Sequence, residues 1–154
     1  MRVPLLAANW KMNKTIPDAL AFAGAFVPQM LEVTGGAEWP EILVCPPFTA
    51  IPAVAAAFSS YPVKVGAQNL YWQEKGAFTG EVSPSMLRDA GCSYVIVGHS
   101  ERRHLFGETD EMAREKVRAA LDNGLRPVLC VGETLEQRED GKALEVVGEM
   151  TRLG

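Results

Sequence analysis

A parallel α/β fold is predicted by three features of this 154-residue sequence: apolar runs of strand length, helical periodicity between them, and helix punctuation at two junctions. The strand candidates are Leu5–Trp10, Glu41–Cys45, Val63–Ala67, Tyr94–Gly98 and Pro127–Val131. Each is nearly continuously apolar, the pattern of strands buried on both faces in a parallel sheet. Ala19, Phe22, Ala23, Phe26, Val27 and Met30 recur at three- and four-residue steps, which is one face of a helix. Ser83 followed by Pro84 is an N-cap with proline at the first helical position, and Gly91 closes that short helix. Asp110 is expected to cap a helix whose inner face is Ala113, Val117, Ala120 and Leu121; Gly124 ends it and Pro127 blocks any return. Leu144, Val147, Met150 and Leu153 keep helical period to the end of the sequence. Alternation of strand and helix calls for parallel pairing through right-handed crossovers. Between the third strand and Ser83 runs a long polar and aromatic loop, Gln68 to Val82, of the kind that is more often functional than idle.

Composition narrows the function. Apolar residues make up 47% and charged residues 22%, within the ordinary range of globular domains. With 15 Lys+Arg against 19 Asp+Glu the formal charge is −4, which argues against a nucleic-acid or membrane-surface role. A small anionic ligand stays open, because one or two local cations suffice for it. Val3–Trp10 is too short an apolar run to span a membrane, and no signal-peptide pattern precedes the first strand. Cys45, Cys92 and Cys130 lack CxxC spacing and read as free thiols of a reducing cytosol.

In parallel α/β folds the reactive side chains sit at the C-terminal ends of strands. Three such ends are polar here: Asn9-Trp10-Lys11, Gly98-His99-Ser100-Glu101-Arg102, and Gly132-Glu133-Thr134. Lys11 reads either as a solvated strand-end lysine or as a cation for a phosphate-bearing substrate and an enediolate oxygen. Asn9 reads as a loop-forming amide or as a group placing a substrate oxygen. His99 precedes a helix start, where partial positive charge disfavours imidazolium; a neutral ring there can donate to a carbonyl and shuttle protons. The other histidine, His104, reads as solvent-facing or locally packed. Glu101 reads as an ion-pair partner of Lys11 or as a general acid/base. Arg102 and Glu108 are expected to pair and pin the loop, and Cys130 to pack rather than react. No spacing fits a dinucleotide site, a P-loop or a zinc site.

Asn9-Trp10-Lys11-Met12-Asn13, Gln68-Asn69-Leu70-Tyr71, Gly76-Ala77-Phe78-Thr79-Gly80-Glu81, Tyr94 through Arg103, Phe106-Gly107-Glu108 and Cys130 through Thr134 together resemble triosephosphate isomerase. The resemblance runs from the first strand to Gly154. It implies a parallel (β/α) TIM barrel, incomplete, with about five βα units of the eight. Residues 1–154 would then be the N-terminal part of a single barrel domain, truncated before the sixth strand; a full barrel has about 250 residues. By the same resemblance His99 is the electrophile that polarises the substrate carbonyl, and Asn9 and Lys11 bind substrate. Glu101 is a carboxylate behind that lysine. Thr79 at the tip of the third loop contacts the partner in a homodimer.

The implied reaction interconverts dihydroxyacetone phosphate and D-glyceraldehyde 3-phosphate through an enediol, in glycolysis and gluconeogenesis. It implies a cytoplasmic enzyme of a small phosphorylated triose, with no metal or cofactor and no nucleic-acid or membrane partner. The family's glutamate base follows the sixth strand and has no counterpart here, so the isolated chain is expected to be inactive. The competing expectations are a non-catalytic half-barrel that assembles with another chain, and a different phosphate-binding barrel, against which the His99 and Glu101 motif argues.

Overall fold

The computed structural model describes residues 3–35 and 40–154. In chain order the elements are β1 (Leu5–Asn9), α1 (Ile16–Thr34), β2 (Glu41–Cys45), a 3-10 turn at Phe48–Ala50, α2 (Ile51–Phe58), β3 (Val63–Ala67), α3 (Pro84–Asp89), β4 (Tyr94–Val97), α4 (Ser100–Phe106), α5 (Asp110–Asp122), β5 (Arg126–Leu129), α6 (Leu135–Glu139) and α7 (Ala143–Leu153). All strand pairs are parallel and follow sequence order, β1-β2-β3-β4-β5. Leu5 pairs with Glu41 and Asn9 with Cys45 at one edge; Tyr94 pairs with Arg126 and Val97 with Leu129 at the other.

Alternation along each strand divides the apolar residues into two layers. Val44, Val65, Val95 and Val97 face the helices and join Ala19, Ala23, Val54, Phe58 and Leu87 in the main core. Leu43, Cys45, Tyr94 and Ile96 form a smaller buried cluster on the opposite face, with Val128 and Cys130 half-buried against it. Gly66 makes that inner layer possible, since a Cβ there would lie 2.9 Å from Cys45 Sγ and 3.1 Å from Leu43 Cδ1. Burial pushes the Cys45 and Cys92 thiols up to about 12, so both are packing groups.

Several sequence expectations need correction. β1 is not buried on both faces: Leu5 is 37% and Leu6 58% exposed. Among the described residues it pairs only with β2, and an open apolar groove of about 570 Å³ runs between its residues and Phe22, Phe26 and Met30 of α1. The Ser83–Pro84 start holds, with Ser83 Oγ accepting the Met86 amide. The cap of α5, however, is Thr109, whose Oγ1 accepts the Met112 amide; Asp110 is the first helical residue. Leu121 is exposed rather than inward, and Lys116 occupies the buried face because Glu108 neutralises it there. The alternation of strand and helix places α2 between β2 and β3 without marking its residues, and α6 with its Thr134–Gln137 capping box is an additional helix. Among the described residues no helix is long and apolar enough to cross a membrane.

Candidate active site

The ends of β1, β3 and β4 meet over one end of the sheet. Lys11 follows β1 in the left-handed region, at φ +52°, unusual for a residue with a side chain. Three hydrogen bonds hold that turn. Lys11 N–H donates to Asn9 Oδ1 at 2.9 Å, and Asn13 Nδ2 donates to the Trp10 carbonyl at 2.8 Å. From the end of β3, Gln68 Nε2 donates both to the Lys11 carbonyl at 2.9 Å and to the Cys45 carbonyl at 2.8 Å. Asn9 therefore serves as a turn former here, and Gln68 fixes the lysine from a distant part of the sequence.

His99 follows β4 as the N-cap of α4, and its Nδ1 accepts the Glu101 amide at 3.2 Å. That bond places the ring proton on Nε2. Glu101 stands between the Lys11 and His99 side chains: Oε1 lies 2.7 Å from Lys11 Nζ and Oε2 lies 3.5 Å from His99 Nδ1. The hydrogen bond from Lys11, reinforced by its charge, holds the Glu101 carboxyl below its ordinary value of 4.5. Asn9, Lys11, Gln68, His99 and Glu101 line a cleft of about 240 Å³.

Beneath this rim lies a buried ionic cluster. Glu108 Oε2 accepts from Lys116 Nζ at 2.6 Å and from Arg102 Nε at 2.7 Å, while Oε1 accepts the Gly98 amide at 2.8 Å. Lys116 Nζ also donates to Asn69 Oδ1 at 2.8 Å. The expected Arg102–Glu108 pair is thus one part of a larger network joining the loops after β3 and β4. Burial raises the Glu108 carboxyl, but the bonds from Lys116 and Arg102 outweigh it and leave it below 4.5. Lys116 is drawn below 10.5 by burial, against the opposing pull of Glu108.

The remaining sequence candidates lie elsewhere. Glu133 pairs with Arg138 and borders a second, larger cleft of about 630 Å³ on the far side of His99. His104 is exposed, and Cys130 is half-buried against the inner cluster. Thr79 sits on the exposed tip of the third loop, whose aromatic residues pack on one another: the Tyr71 ring lies 4.2 Å from Trp72 and 4.6 Å from Phe78. Sequence reading missed Arg103, Gln68 and Lys116 as site-shaping groups. For Lys116 a signal existed, because it stands one turn from Ala113 and Ala120 on the apolar face.

Polar side chains gathered at the C-terminal ends of parallel strands, with helices packed outside, define the (β/α)-barrel class, here represented by five βα units. The family profile described as triosephosphate isomerase matches residues 4–153. The chain belongs to that family. It is 56% identical over 143 residues to the triosephosphate isomerase of Symbiobacterium thermophilum, covering 93% of this chain and 54% of the relative. Against the Moorella thermoacetica isomerase it is 52% identical over 154 residues, which is 100% of this chain and 60% of the relative. The solved triosephosphate isomerase of Bartonella henselae superposes with a TM-score of 0.85 at 36% identity, over 99% of this chain and 61% of that one. The chain therefore spans little more than half the length of these relatives.

Proposed function

We propose that residues 1–154 are the N-terminal part of a single barrel domain whose whole interconverts dihydroxyacetone phosphate and D-glyceraldehyde 3-phosphate, in the cytoplasm and as a homodimer. One observation carries this reading: Lys11 and His99, which follow the first and fourth strands, border one cleft with Glu101 between them. In that cleft the His99 Nε2–H donates to the substrate carbonyl and moves a proton between the two oxygens as the enediol forms. Lys11 stabilises the negative charge of the enediolate and its phosphate, and Asn9 binds substrate beside it. Glu101 aims the lysine through their 2.7 Å contact. Thr79 reaches the neighbouring subunit. Among the described residues no carboxylate stands as a matched acceptor for the carbon-bound proton: Glu101 faces Lys11 and Glu133 pairs with Arg138.

The test compares residues 1–154 alone with the same residues completed by the C-terminal part of the Symbiobacterium thermophilum relative, in a coupled triose phosphate assay. The completed enzyme is expected to turn over and the isolated chain to fall short by at least ~10²–10⁴, the usual contribution of a general base. H99Q in the completed enzyme should lower kcat by a similar factor. Turnover of the isolated chain near that of the completed enzyme overturns the reading. The exposed edge of β1 favours one alternative, a non-catalytic half-barrel that assembles with a second chain. A stop codon directly after Gly154 in the source DNA, with a stable complex of the unextended chain, is the result that supports it.

A further inference from the structure

We infer that Arg103 is a positioning residue for His99, acting through the peptide group that joins Gly98 to it. The inference rests on the reading of His99 as the electrophile. Arg103 lies one helical turn past His99 in α4, and its side chain is only 13% exposed. Nε donates to the Gly98 carbonyl at 2.7 Å, Nη1 to Asp110 Oδ1 at 2.6 Å, and Nη2 to the Cys130 carbonyl at a longer 3.4 Å. The ladder between β4 and β5 extends no further than the bond from the Cys130 amide to the Val97 carbonyl at 2.8 Å. Arg103 takes over as donor where the ladder stops, tying both strand ends to the first residue of α5.

Gly98 is held from both sides. Its N–H, in the peptide plane before it, donates to Glu108 Oε1 at 2.8 Å. Its C=O, in the plane that leads to His99, accepts from Arg103. Fixing both planes fixes the backbone angles at Gly98, and these set the direction in which His99 leaves the strand. Both bonds are charge-assisted and the stronger for it. Glycine is required for this seat on two counts: φ is +70°, and a Cβ would lie 2.7 Å from Arg103 Nη2. Lys11 and Asn9 hang on β1 and share none of these bonds with Arg103, so loss of the guanidinium should misalign His99 while leaving substrate binding nearly intact.

The experiment uses the full-length enzyme carrying residues 1–154. R103A is expected to lower kcat by ~100-fold, the scale of a misplacement near 1 Å, with little change in KM. R103K should fall between, since one ammonium cannot span the guanidinium's three acceptors, and guanidinium ion should partly restore R103A. On an H99Q background R103A should cost no more than about 3-fold further, because two changes acting through one group do not add. A 15N spectrum supplies a readout independent of turnover: R103K should shift the ring nitrogens of His99 and leave those of exposed His104 in place. Unchanged kcat, full additivity with H99Q, or unmoved His99 nitrogens overturns the inference. H99Q alone leaving kcat unchanged overturns instead the reading of His99 as electrophile.

Discussion

Glu101 and Glu108 lie close together in the segment after β4, and each binds cations, yet they serve different ends. The side chains of the Lys11–Glu101 pair are 52% and 43% exposed. Those of Lys116 and Glu108 are 5% and 2% exposed, and besides their mutual bond they bind Arg102, Asn69 and the Gly98 amide. Water screens the first pair, so it contributes little to folding and remains free to exchange its partner for a ligand. The second has left water and cannot lose a member without leaving a charge stranded. The site thus consists of an exposed, exchangeable pair standing on a dry, fixed one.

The largest expected effect breaks the buried pair. In the full-length enzyme E108A strands Lys116 and Arg102 and removes the acceptor of the Gly98 amide; a loss of about 3–5 kcal/mol is expected in urea denaturation. A loss comparable to that of a surface substitution would mean that water reaches the cluster.

Acid provides a smaller and graded version of the same perturbation. The folded carboxyl of Glu108 is held below 4.5, so the folded state binds its proton less readily than the unfolded one. Its contribution is therefore complete above 4.5 and is lost as the pH falls through the folded value. Melting temperatures between pH 6 and 3 should fall less steeply for E108Q than for the unmodified enzyme; parallel curves would assign acid sensitivity to other groups. Lys116 acts at the opposite end of the scale. Held below 10.5, it opposes folding while protonated, and that cost is relieved as the pH rises from its folded value towards 10.5.

The smallest effect on folding belongs to the exposed pair. E101Q should leave the urea midpoint of the full-length enzyme within error while raising KM for the triose phosphate, because Lys11 loses the carboxylate that aims it. A drop in midpoint as large as that of E108A would erase the distinction between the two pairs.

The sequence was most informative where one strand or one turn decides the outcome. Glu41–Cys45 and Val63–Ala67 form β2 and β3 at the boundaries their apolar runs suggest, and Ser83-Pro84 starts α3. Leu5 and Leu6 misled because an apolar run states what a strand can bury, and only its neighbours determine what it does bury. Thr109 lost its cap to Asp110 in the reading because both residue types cap well. Lys11, His99 and Glu101 were visible at strand ends. Gln68 was not, since its bonds reach Lys11 and Cys45 across stretches of sequence with no local period to betray them; the Arg103 bonds to Gly98 and Asp110 are local in sequence, but they bridge a strand end and two helix starts, which no periodicity marks.

Strand order equal to sequence order also bears on how such a chain is made. A nascent polypeptide leaving the ribosome can add each strand to the one completed just before it, so no pairing between β1 and β5 waits for a segment still unsynthesised. β1 is the exception to that economy. It emerges first and has β2 on one side, and in the folded 154 residues Leu5 and Leu6 still face solvent. At 5–20 residues per second the stretch from β1 to β5 takes on the order of ten seconds to appear. Throughout that interval neighbouring chains on one polysome present identical apolar edges to each other, which makes the first strand the natural site of mispairing and of chaperone capture.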